Sequence, residues 1–230
     1  MSVDQPQPSG QVYQLKVVLR DCSPMIWRRL LVTSDTTIAQ LHTILQIAMG
    51  WEDLHLHRFR IYAKEYGIYR AGGMFFDDNP FQVKLSAFKL RAGERFEYEY
   101  DMGDFWQHDI RLERVLPLEP RKLYPVCIAG AGDCPLEDSG GPSGYQCLLE
   151  ECYSWETLEQ VREDMLLVAQ RLLDFYAGGP RPTDEDEDFL DALERMRERE
   201  ADAPVAFKRR AVNAALRKLI KELKCNSASK

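Results

Sequence analysis

Apolar and polar side chains alternate where patterning begins. Tyr13, Leu15, Val17 and Leu19 interleave with Gln14, Lys16 and Arg20, the period of a half-buried strand. Asp21 to Pro24 supplies turn residues, and Met25 to Val32 predicts a second strand closing a hairpin. The period then lengthens: Ile38, Leu41, Leu45, Ala48 and Met49 share one helical face behind a Thr37/Gln40 capping box, and Gly50 ends the helix. Leu54 to Tyr62 alternates again as a third strand. Phe96, Tyr98 and Tyr100 oppose Glu97, Glu99 and Asp101. Asp101 to Asp104 reads as a turn with Gly103 supplying positive φ, and Phe105 to Val115 as the returning strand. Pro117 to Tyr145 has no period and is expected to be a long Gly/Pro-punctuated loop.

The last third reads as helical. Trp155 to Tyr176 carries Leu158, Val161, Met165, Val168, Leu172 and Phe175. Thr183 is the expected cap of an acidic helix, Pro204 interrupts, and Phe207 to Lys224 places Val212, Leu216, Leu219, Ile220 and Leu223 on one stripe. The expected fold class is α+β: a mixed or antiparallel sheet with a β-grasp-like ββαβ start, a second hairpin and a helical C-terminal third. Residues 11–224 are expected to form one domain, with a core over 11–177 and a helical part over 183–224. Residues 1–10 and 225–230 are expected to be disordered tails.

A hydrophobic content of 45% suffices for a core and excludes wholesale disorder. No apolar run reaches the roughly 20 residues of a bilayer span, and the Gln/Pro/Ser-rich start is not a secretory signal. A cytoplasmic protein with six reduced cysteines and no membrane partner is the expectation. The net charge of −7 disfavours nonspecific nucleic-acid binding by the whole chain. Yet Thr183–Ala203 holds ten acidic residues against three arginines, and Phe207–Lys230 eight basic residues against one glutamate.

Chemistry-bearing residues gather in four places. His55 and His57, two apart in a strand, share a face and suit Zn²⁺, or simply flank Phe59. Cys127 and Cys134 would complete such a site only if the fold brought them there, since their spacing is not that of a zinc knuckle. Asp101 and Asp104 with His108, beside Trp106, form either a carboxylate–imidazole set or a turn and its flanking strand. Glu137 and Asp138, in the loop from Cys134 to Tyr145, suit a cation or a partner's basic group. That loop is neither a P-loop nor a nucleophile elbow. Arg217, Lys218, Lys221 and Lys224 line the polar side of the final helix, either solvated or facing nucleic acid.

In order, Ser23-Pro-Met-Ile-Trp27-Arg-Arg, Leu41-His-Thr-Ile-Leu-Gln-Ile-Ala-Met-Gly-Trp51, His55-Leu-His57-Arg-Phe59, Tyr98-Glu-Tyr-Asp101-Met-Gly-Asp104-Phe-Trp-Gln-His108, Tyr124-Pro-Val-Cys127 and the Cys134–Tyr145 loop resemble the plasmid pRiA4b ORF-3-like family, with Val212-Asn213 matching its terminal helix. The resemblance implies an α+β domain of unknown biochemical role, frequent on mobile elements. Members often read Cys-Pro-Pro-Glu-Asp-Cys in the loop, where this chain has Leu136 and Ser139, so a third thiolate ligand is missing. The leading expectation is a non-catalytic binding module for a protein or small ligand, using Asp101, Asp104, Trp106, His108, Glu137, Asp138 and Tyr145. The alternatives are a zinc-type hydrolase and an accessory nucleic-acid-binding protein of a mobile element; catalytic residues are left unassigned.

Overall fold

The computed structural model describes residues 10–183, 186–201, 203–204 and 206–228. The chain divides into two compact units, residues 1–142 with 205–230, and residues 143–204. Of the expected tails, 1–9 and 229–230 lie outside the described residues, while 225–228 continue the last helix.

The first unit is built on a seven-stranded sheet, every pairing antiparallel. Its strands are β1 (Gln11–Leu19), β2 (Trp27–Thr33), β3 (His57–Ile61), β4 (Lys64–Tyr66), β5 (Arg95–Tyr100), β6 (Trp106–Pro117) and β7 (Val126–Ala131). They lie in the order β4-β3-β5-β6-β1-β2-β7. The strand–strand–helix–strand opening is present, although β5 and β6 separate β3 from β1 in the sheet. Helix α1 (Ile38–Met49) carries the capping box in full: Gln40 N–H donates to Thr37 Oγ1 at 3.2 Å, and Thr37 N–H to Gln40 Oε1 at 2.9 Å. Gly50, at φ 94°, closes it.

Period-two alternation sorts the two faces of the sheet. Inward go Tyr13, Leu15, Val17 and Leu19 of β1, Phe59 and Ile61 of β3, Phe96, Tyr98 and Tyr100 of β5, and Trp106, Ile110 and Leu112 of β6, all buried. The same parity drives Arg28 of β2 inward beside Leu30 and Val32, where it is 1% exposed. Backbone carbonyls receive its guanidinium: Nε donates to Ala48 O at 2.8 Å, and Nη1 to Trp27 O, Ala131 O and Gly132 O at 2.9, 2.9 and 3.0 Å. Phe207 lies over it at 3.9 Å, in space that Gly130 leaves open, since a Cβ there would meet the ring at 2.6 Å.

Two elements lie within the stretch expected to be loop. Strand β7 escaped notice because Ala129, Gly130 and Ala131 give it no apolar alternation. Helix α2 (Gly141–Cys152) escaped because Gly141, Pro142 and Gly144 depress helix propensity, although a proline in the first turn is tolerated. Strand β4 is only three residues long. In the Asp101–Asp104 turn the positive φ falls on Asp101 and on Phe105, at 60° and 54°, not on Gly103. Gly103 instead donates its N–H to Asp101 Oδ1 at 2.8 Å.

Helix α5 (Arg209–Ala228) closes the first unit by packing on β7 and α1. Asn213 covers the free edge of β7 as a strand would: its Oδ1 accepts from Cys127 N–H at 2.8 Å and its Nδ2 donates to Cys127 O at 2.9 Å. The second unit holds α3 (Trp155–Tyr176), spanning the residues predicted, and α4 (Glu187–Ala201). Asp164 of α3, 1% exposed, accepts from Arg195 Nη2 at 2.7 Å and Arg199 Nη1 at 2.9 Å of α4. Thr183, the expected cap, precedes the helix by four residues.

Replacing Arg28 by Met leaves Ala48 O, Ala131 O and Gly132 O without a donor inside the core. At about 1 kcal/mol per orphaned carbonyl the expected loss is about 3 kcal/mol. Urea denaturation of R28M at neutral pH checks this, and undiminished stability would show that the guanidinium is dispensable.

Candidate functional site

The loop after β7 is stitched to the β5–β6 turn and to the segment following α1. Trp51 Nε1 donates to Pro135 O at 3.0 Å, and Glu52 N–H to Glu137 Oε2 at 3.0 Å. The Tyr100 hydroxyl donates to Glu137 Oε1 and accepts from Leu54 and His55 N–H at 2.9 and 3.3 Å. Gly140 N–H donates to Asp104 Oδ2 at 3.1 Å. Gly141, at φ 70°, lies so close to the Asp104 carbonyl that a Cβ would collide with it.

These contacts assemble one rim. His55 Nε2 lies 3.2 Å from Asp138 Oδ1 and 3.8 Å from Asp101 Oδ2, in neither case aligned as a hydrogen bond. The three residues offer ligand atoms within 4.8 Å of one another. Asp101 Oδ1 is engaged by the turn amides of Gly103 and Asp104, which leaves Oδ2 toward His55.

A second trio, His42, Asp53 and His57, meets the same distance criterion. Apart from His57 Nδ1, which has no hydrogen-bond partner, its imidazole nitrogens and Asp53 Oδ1 are already engaged. Gln46 Nε2 donates to the Tyr98 hydroxyl at 2.9 Å, and Tyr98 stands 2.9 Å from His42 Nδ1. His42 Nε2 meets Asp53 Oδ1 at 2.8 Å, an oxygen that also accepts from Arg70 at 2.5 Å. His57 stacks on His42 with centroids 3.5 Å apart and accepts from Ile68 N–H through Nε2 at 3.3 Å. Stacked rings present faces to each other, not converging lone pairs, and Arg70 already neutralises Asp53. This trio is a structural network.

The sequence-derived candidates therefore part company. His55 precedes β3 and reaches Asp101; His57 points into the core, so the pair does not share a site. His108 is wholly buried on the inward face of β6, where Nδ1 donates to Trp106 O at 3.0 Å and to Tyr98 O at 3.3 Å. The imidazole beside the turn carboxylates is His55, not His108. Trp106 is equally buried, and Tyr145 lies buried in α2, in the second unit. Cys127 and Cys134 are buried, and burial pushes both thiols above their ordinary pKa. Among the described residues neither cysteine joins a histidine within ligand distance. Arg217, Lys218, Lys221 and Lys224 are exposed on α5. Sequence reasoning missed His42, though a histidine on the buried stripe of α1 with Ile38 and Leu45 was a readable signal.

Burial governs the core imidazoles. Desolvation, with His42 and Arg70 adding to it, lowers His57 to about 2. Desolvation lowers His108 to about 4. The unfolded chain therefore binds protons below the ordinary value of about 6.5 that the native chain refuses, and stability falls as pH falls through that window. His108 alone is expected to remove about 3 kcal/mol by pH 4. Glu113 and Asp164, both held at about 2 chiefly by arginine hydrogen bonds, lose their contributions only at lower pH, below ordinary carboxylate values. Urea midpoints should fall from neutrality to pH 4, and H108Q should flatten that dependence; a profile unchanged by H108Q would mean the imidazole titrates normally.

Comparison with known proteins places the chain. An uncharacterized protein, y4hQ of Sinorhizobium fredii (strain NBRC 101917 / NGR234), is 37% identical over 141 residues, 60% of this chain and 71% of that protein. The crystal structure of MM3350, a protein of unknown function from Methanosarcina mazei Go1, is similar at 36% identity and a TM-score of 0.58, covering 65% of this chain and 86% of its own. Residues 11–176, which include the hairpin and loop that build the rim, match the family described as Plasmid pRiA4b ORF-3-like protein, and the chain belongs to that family.

Proposed function

We propose that the chain is a non-catalytic binding module that takes a cationic group on the rim of His55, Asp101 and Asp138. The observation that carries this reading is the convergence of three ligand atoms on the stitched loop–hairpin junction, with His55 Nε2 between two carboxylate oxygens and hydrogen-bonded to neither. The neighbouring chemical groups support binding over catalysis. Tyr100 is tied to Glu137 and two amides, His57 and His108 are too weakly basic for proton transfer near neutrality, and both loop-side thiols are buried and protonated. Three ligands on a rim with Asp138 in solvent suit either a divalent cation that keeps an open position or a partner's ammonium or guanidinium group.

Calorimetric titration of the full chain with Zn²⁺, with Mn²⁺ and with an arginine-rich peptide tests the reading. At least one probe should bind, and D101N and D138N should each weaken it by about tenfold or more. D101N is the informative variant, because asparagine tolerates the positive φ and accepts the same turn amides while losing the charge. Failure of all three probes overturns the proposal, and metal-dependent turnover of an ester or phosphoester substrate overturns its non-catalytic half.

A further inference from the structure

The outward face of the sheet is patterned in cross-strand rows. In one, Arg60 of β3, Glu97 of β5 and Asp109 of β6 stand opposite one another. In the next, Arg58, Glu99 and Gln107 do so. Both rows are neutralised internally. Arg60 meets Glu97 at 3.1 Å, Arg58 meets Glu99 at 3.0 Å, and Arg20 joins Glu97 and Asp109 at 2.7 and 2.5 Å.

A third row is different. Arg95 of β5 faces Arg111 of β6, Arg111 faces Lys16 of β1, and Lys16 faces Arg29 of β2. Four cations stand shoulder to shoulder across four adjacent strands, a span of about 14 Å at ordinary strand spacing. Only Arg29 among them is in a salt bridge among the described residues, with Glu113 at 2.7 Å. Arg95 and Arg111 are exposed, as is Arg114 one step along β6. Like charges placed directly opposite destabilise a sheet, and among the described residues Arg95, Arg111 and Lys16 have no salt bridge of the kind found in the other two rows, although Glu113, paired with Arg29, also feels the charge of Lys16.

We propose that this open face binds single-stranded nucleic acid, with the phosphates laid along the Arg95–Arg111–Lys16–Arg29 row. Three further observations favour that partner. First, an aromatic ring adjoins the cations: Trp27 lies half-buried beside the row, with Lys16 Nζ 5.4 Å and Arg29 Cζ 5.1 Å from its ring centroid. Cations with a neighbouring π surface are the pairing that single strands use. Second, the cationic track continues past β7. Ile128 borders a shallow cleft with Arg29, Arg111 and Arg114, and with the one carboxylate Glu113, on one side and another with Arg209, Arg210 and Arg217 of α5 on the other. Third, the net charge of −7 is unevenly divided. The unit that carries the row holds 24 basic and 20 acidic residues, and the other unit 6 and 17. The acidity that argued against a nucleic-acid role resides in residues 143–204. A groove-reading mode on duplex DNA needs a protruding helix or ribbon, whereas a flat row suits an extended strand.

Fluorescence anisotropy of the full chain with a labelled oligothymidylate of about 12 nucleotides tests this, with an RNA counterpart alongside. Binding is expected at low salt, with log affinity falling linearly in log salt at a slope near −3, from about −0.7 per phosphate over four contacts. The R95E/R111E variant should weaken binding by about tenfold or more and flatten the slope. Its melting temperature should hold, because the change at 111 turns the repulsion from Lys16 into an attraction while the 95–111 pair stays like-charged; R95Q/R111Q, which removes both charges, serves if it falls. K218E/K221E on α5 should leave the affinity unchanged. No binding at low salt overturns the proposal. So does loss confined to K218E/K221E, which would put the strand on the helix. Competition by poly-glutamate as effective as by oligonucleotide overturns it in favour of an acidic protein partner. The cation-binding rim is untouched by these variants, so the two proposals fail independently.

Discussion

A buried guanidinium sets the geometry on which the first unit depends. Arg28 is on the core side of β2 because period-two alternation leaves it no other side, and a full positive charge there must find several acceptors. It finds them in main-chain carbonyls from three places: the end of α1 at Ala48, its own strand at Trp27, and the end of β7 at Ala131 and Gly132. One side chain thereby fixes where the helix ends and where the edge strand stops. Phe207 completes the arrangement by covering the guanidinium face, which ties the lead-in of α5 to the same point. Neither an ammonium nor an apolar side chain offers this planar set of donors, so the geometry is specific to arginine.

From that anchor the rim follows. Because Arg28 holds the end of β7, the chain leaves the sheet at a defined place and direction, and the next residues meet Trp51 and the β5–β6 turn. Cys134 is buried as a small apolar group, its thiol protonated, and Glu137 binds the Tyr100 hydroxyl and the Glu52 amide. Within the loop the Ser139 hydroxyl donates to Leu136 O at 2.8 Å and shapes the turn. The loop is therefore held by hydrogen bonds and glycine clearance, and it places Asp138 beside His55 and Asp101.

Much of the fold was legible because its elements bury one face. The capping box of α1, the β5–β6 hairpin and the limits of α3 all followed from local pattern. What failed to show was what local pattern does not encode. Strand β7 is an edge strand of small residues whose outer partner is the Asn213 amide, 86 residues away, so its identity rests on tertiary contact. Helix α2 begins with residues that read as loop. The site was half legible: the hairpin, the His55 segment and the loop were all named, but parity was misapplied at two histidines. His55 stands before the strand and not in it, and His108 shares the inward parity of Trp106 and Ile110, which already marked it as a core residue. Arg28 was equally readable beside Leu30 and Val32, and its burial could have been expected from alternation alone.

The two faces of the sheet handle charge in opposite ways. On the inner face burial keeps His57 and His108 unprotonated, and Arg28 is surrounded by carbonyls. Uncompensated charge there would cost several kcal/mol, so the fold removes it. On the outer face water screens charge, and a like-charged row costs little enough to persist. Ion pairs in the Arg60 and Arg58 rows show that this sheet has carboxylates to place opposite cations, and in the Arg95 row it places cations opposite cations. A surface chosen only for solubility would interleave signs throughout. The departure from interleaving is confined to one row, in the net-basic unit, beside a half-buried tryptophan. That confinement is the reason to propose an anionic polymer as the partner of this face.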